Sequence, residues 1–83
     1  MDKVSKIVAA MRNNPKNVRY DDLYSVCSHY FGQARQSDGS HAVFRTPWQG
    51  DPRVNIQRGK NGMAKPYQVR QVLRAIDVLE DEE

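Results

Sequence analysis

The chain has 83 residues, 39% of them hydrophobic and 28% charged, with a formal net charge of +3. That length gives one domain, residues 1–83, with a small core, and excludes a separate cofactor-binding domain. No apolar run approaches the roughly 20 residues of a membrane span, the opening Met-Asp-Lys-Val-Ser-Lys lacks the apolar stretch of a secretory leader, and Cys27 is the only cysteine, so a cytoplasmic protein without a membrane partner is expected.

Val4, Ile7, Val8 and Met11 fall at i, i+3, i+4 and i+7 and predict a first helix over residues 2–13, ended by Asn13-Asn14-Pro15. Leu23, Val26, Cys27 and Tyr30 repeat the template. This second helix is expected to start at Tyr20-Asp21-Asp22, where carboxylates favour a helix N-terminus, and to be capped by Gly32. The period then changes to two. A short strand is expected over 33–37, a second over 41–46 and a third over 53–57, the last two joined by the turn-rich Pro47-Trp48-Gln49-Gly50-Asp51-Pro52. Pro66 suits the first turn of a third helix, whose stripe is Val69, Val72, Leu73, Ile76 and Leu79. The order predicts an α+β fold: an α-β-β-β-α unit with a three-stranded antiparallel sheet, helices on one face, plus an extra N-terminal helix.

The charge is unevenly placed. Five of the ten acidic residues, Asp77, Glu80, Asp81, Glu82 and Glu83, form an acidic tail at 77–83. Residues 1–76 carry thirteen Lys and Arg against five Asp and Glu, a balance of +8. A body with that excess attracts polyanions, of which nucleic acid is the commonest.

Strand alternation sorts the side chains. Ala42 and Phe44, with Val54 and Ile56, are placed toward the helices as core. His41, Val43 and Arg45, with Arg53, Asn55 and Gln57, are placed on the opposite face, which is polar and basic. Arg35 joins it if the first strand forms, and Arg58, Lys60 and Lys65 follow in the loop to the last helix. RNA supplies its own nucleophile, the 2′-hydroxyl. A protein must move two protons and stabilise charge on the phosphorane-like transition state. Histidine, with an ordinary pKa of about 6.5, serves as acid or base; arginine, lysine and backbone amides at a glycine turn serve the charge. Gly39, Ser40, His41 and Arg45 bring these types together within seven residues. The same spacing also describes a strand-edge histidine that only donates a hydrogen bond.

The remaining candidates read as structure. His29 lies near the C-terminus of the second helix, where an imidazolium is favoured by the helix dipole. Cys27 lies on an apolar stripe as a small buried hydrophobe. Two separate histidines and one cysteine give no zinc-ligand spacing, and no cofactor is expected. Trp48 serves equally as a loop hydrophobe or a stacking platform. Gly59 to Pro66 has glycines and lysines before a helix but not the phosphate-loop spacing.

Residues 17–79 resemble the HicA toxins of bacterial HicA–HicB toxin–antitoxin modules. The resemblance rests on the helix from Asp22 to Gly32, Gly39-Ser40-His41 opening a strand, Val43-Phe44-Arg45, a turn, Val54-Asn55-Ile56 and a closing amphipathic helix. It implies a fold like a double-stranded-RNA-binding domain and a ribosome-independent endoribonuclease acting on mRNA without a metal. It also implies that His41 is the catalytic residue and that a HicB-like antitoxin protein is the inhibiting partner. On this reading Gly39, Ser40, Arg45, Arg53 and Lys65 bind RNA phosphate. Two features depart from the family: many short members carry a second histidine after the third strand, where this chain reads Asn55-Ile56-Gln57-Arg58, and the helix at 2–13 is additional. The alternatives are a non-catalytic binder of structured RNA and an adaptor whose basic face meets an acidic protein. No helix-turn-helix pattern is present, so DNA is expected as a partner only indirectly, through the antitoxin.

Overall fold

The structure, a computed structural model, describes residues 3–37, 41–46 and 53–81. Three helices, α1 (Lys3–Asn13), α2 (Tyr20–Phe31) and α3 (Pro66–Asp81), accompany an antiparallel sheet. The body of the sheet is β2 (His41–Arg45) paired with β3 (Arg53–Gln57), in the register His41 opposite Gln57, Val43 opposite Asn55 and Arg45 opposite Arg53. On the other side of β2 lies β1 (Gln36–Ser37), facing Val43 and Ala42. The α+β expectation therefore stands. The strand expected over 33–37 shrinks to two residues, because Gly32, at φ 84°, is still turning the chain out of α2.

The helices form where their stripes find a core. Leu23, Val26 and Cys27 of α2 and Val69, Val72 and Ile76 of α3 are buried against Ala42, Phe44, Val54 and Ile56 of the sheet. Tyr24 meets the Phe44 ring edge-on at 5.4 Å, a geometry that adds to area burial. α1 packs on α2 and α3, burying Met11 completely, with Val4, Ile7 and Val8 half-covered. α2 starts at Tyr20 with Asp21 and Asp22 in its first turn and ends where the Gly32 N–H donates to the Ser28 carbonyl at 3.1 Å. Only glycine takes such a positive φ without strain.

The segment before α3 is tied down rather than loose. A 3₁₀ turn at Lys60–Gly62 places Asn61 (φ 59°) and Gly62 (φ 74°) in the left-handed region. The Gly59 N–H donates to Met63 O at 2.7 Å and the Ala64 N–H to Val18 O at 2.8 Å. The acidic segment expected as a tail is also different: α3 stays helical to Asp81. Carboxylates at a helix C-terminus oppose its dipole, but the stripe continues to a half-buried Leu79, and the Arg12 guanidinium donates to Asp77 at 2.7 Å. That carboxylate raises the Arg12 pKa further.

Candidate nucleic-acid interface

β3 alternates cleanly: Val54 and Ile56 are buried, and Arg53, Asn55 and Gln57 are exposed. β2 does not. Ala42 and Phe44 face the core as expected, but Val43 between them is also buried. The outer face of the sheet therefore has an apolar centre, with His41 half-exposed at one end and Arg45 exposed at the other.

The hydrogen bonding fixes how close these side chains come. The Gln57 N–H points away from β2 and donates to the Gln68 side-chain oxygen at 2.8 Å. In an antiparallel ladder this puts Gln57, Asn55 and Arg53 in the non-hydrogen-bonded pairs, where opposed Cα atoms approach to roughly 4.5 Å. Arg45 and Arg53 thus oppose each other directly across the closer kind of pair. Like charges so placed repel. A third arginine joins them. Past Gly32 the Arg35 N–H donates to the Val43 carbonyl at 2.8 Å, which brings Arg35 beside the strand. Arg35, Val43, Phe44, Arg45 and Arg53 line one depression of about 350 Å³. A second, of about 300 Å³, shares Arg35 and Arg45 and adds Tyr30, Phe31, Gln33 and Thr46.

His41 and Arg45 lie four residues apart on one strand, about 13 Å at roughly 3.3 Å per residue. The three arginines are therefore clustered with one another and separated from His41. Lys65 belongs to the histidine end: it follows Ala64, which bridges to Arg58, the residue after Gln57. Gly39 and Ser40, the turn at 47–52 and Trp48 lie outside the described residues.

Other candidates resolve into structure. The Arg58 guanidinium lies 4.9 Å from the Tyr20 ring centre and 3.3 Å from Asp21, so it braces the start of α2. Burial pushes the Cys27 thiol up, which keeps it neutral and unreactive. His29 is exposed on the last turn of α2, edge-on to Tyr30 at 5.1 Å. Among the described residues no three His, Cys, Asp or Glu side chains gather to hold a metal ion, and no helix is long and apolar enough to cross a membrane. The sequence reading missed Phe31 and Gln68, and it assigned Tyr30 only to the core stripe. No protein-family model, curated protein or solved structure matches the chain.

Proposed function

We propose that this chain is an mRNA-cleaving toxin of the HicA kind, working in the bacterial cytoplasm and held in check by a HicB-like antitoxin. In this reading the fold is a double-stranded-RNA-binding-domain-like α-β-β-β-α unit, with β1 as its short third strand. His41 acts as general acid or base toward the 2′-hydroxyl or the departing 5′-oxygen. Gly39, Ser40 and Lys65 serve the phosphate, and Arg45 and Arg53 hold the RNA further along the strands from His41. No cofactor or metal enters the scheme, and DNA is met only through the antitoxin.

The observation that carries the reading is the half-exposed position of His41 on the same face as Asn55, Gln57, Arg45 and Arg53, with the core residues on the other face. A histidine tied into the core has no access to a phosphodiester. This one has access, on a surface whose charge suits a polyanion.

The test is expression without antitoxin. Wild-type protein is expected to arrest growth and degrade message. His41→Ala is expected to do neither, with purified cleavage slowed by about 10²–10⁴-fold, the usual contribution of general acid–base catalysis. Equal toxicity and equal RNA degradation by both proteins would overturn the assignment.

A second reading, a non-catalytic RNA-binding module, is favoured by one observation: the arginine cluster stands about 13 Å along the strand from the histidine. It predicts RNA that is bound and still intact after long incubation with concentrated protein.

A further inference from the structure

The two depressions that share Arg35 and Arg45 differ in chemistry. The first is flanked by three guanidinium groups over a floor that includes Val43. The second is walled by two aromatic rings, Tyr30 and Phe31, at the end of α2. Those rings are already held before anything binds. Both pack on the core, their centres are 6.5 Å apart, and His29 meets Tyr30 edge-on. Charge and aromatic surface thus meet along one line, with two arginines common to both.

We propose that Arg35, Arg45 and Arg53, together with Tyr30 and Phe31, form a subsite for one unpaired nucleotide of single-stranded RNA. The phosphate lies among the arginines and the base lies against the aromatic rings. This rests on the RNA reading of the same face and deepens it by naming the form of RNA. Three features carry it. Arg35, Arg45 and Arg53 line one depression, and guanidinium forks suit phosphate oxygens. Each depression matches the lower end of ordinary ligand pockets, roughly 300–1,000 Å³. An aromatic wall receives a base only when that base has left its stack, so the site selects single strands over duplexes. The site also stands more than one phosphate step from His41. It therefore grips a nucleotide flanking the one where the histidine acts, and it sets which stretch of strand reaches the histidine.

The test uses His41→Ala protein, so that the probe stays whole. Binding of a short fluorescein-labelled single-stranded RNA is compared with that of the same sequence annealed to its complement. The single strand is expected to bind about tenfold more tightly. Phe31→Leu, which keeps apolar bulk and removes the ring face, and Arg35→Gln, at an exposed position, are each expected to weaken single-strand binding about tenfold, in the range of one base–aromatic stack. Duplex binding is expected to stay unchanged in Phe31→Leu, and thermal melting confirms that each variant is folded. Equal affinity for duplex and single strand would overturn the proposal, as would folded variants that bind like the parent. Cleavage by the unsubstituted chain is read separately. Loss of the catalytic assignment thus leaves this comparison standing, and loss of the subsite leaves His41-dependent cleavage standing.

Discussion

Gln68 is only 4% exposed, and both ends of its amide are used. Its oxygen accepts from the Gln57 N–H at 2.8 Å, and its nitrogen lies 3.4 Å from the Tyr67 hydroxyl. One polar side chain on α3 thereby anchors the residue that faces His41 across the strands. Replacing Gln68 with Leu leaves that N–H without its acceptor. The expected cost is about 0.5–1.5 kcal/mol, the net worth of an ordinary hydrogen bond at a strand that water can reach, read as a lower urea midpoint, together with faster exchange of the Gln57 amide. The sequence gives no sign of this role. Gln68 sits between an exposed Tyr67 and a buried Val69, and periodicity marks which apolar residues turn inward, not which polar one follows them. Cys27 was legible for the opposite reason: a small residue within an apolar stripe has one natural place, and it is fully buried.

The pairing of β2 with β3 sets function against stability. Arg45 and Arg53 stand opposite each other, and cross-strand pairs contribute roughly 0.2–1 kcal/mol in either direction. Arg45→Thr removes the repulsion and places a good strand former at an exposed site. It is expected to raise stability by a few tenths of a kcal/mol at low salt. It is also expected to abolish most of the stabilisation that added phosphate gives the wild-type protein, both read by thermal melting in matched buffers. Elements with a clear period were readable from the chain alone. α2 begins at Tyr20 and ends at Phe31 before Gly32, and the α3 stripe is buried at Val69, Val72 and Ile76. β1 was expected over 33–37 and is shorter, Gln36–Ser37, because two residues have no period to fix their bounds. Val43 was placed on a polar face because strict alternation demands it, yet Ala42-Val43-Phe44 is apolar throughout, and such a run does not say which of its faces is wet. The nearness of Tyr30 and Phe31 to Arg45 arises only when α2 docks beside β2, so no local pattern contains it.

Across the whole molecule, charge separates along the chain. The basic residues of the sheet face are distant in sequence from the acidic end, and Asp77, one turn before the end of α3, is tied to α1 by Arg12. RNA affinity is accordingly expected to fall linearly on a log–log plot against salt, with each phosphate contact contributing a slope of somewhat less than one. Arg35→Gln and Arg53→Gln are expected to make that slope shallower by about one each. Glu80→Gln is expected to leave it unchanged. Fluorescence anisotropy over a salt series measures all three.

The Gln57–Gln68 hydrogen bond has one more consequence, for self-association. β3 forms an edge of the sheet, and an open edge invites strands from other copies of the chain. Gln68 occupies the edge donor at Gln57, and Arg53 places a positive charge at the other end of the same strand. Among the described residues of β3 this leaves a short stretch around Asn55 between the two. The amide that steadies the strand opposite His41 therefore also limits sheet-to-sheet growth of the protein at high concentration.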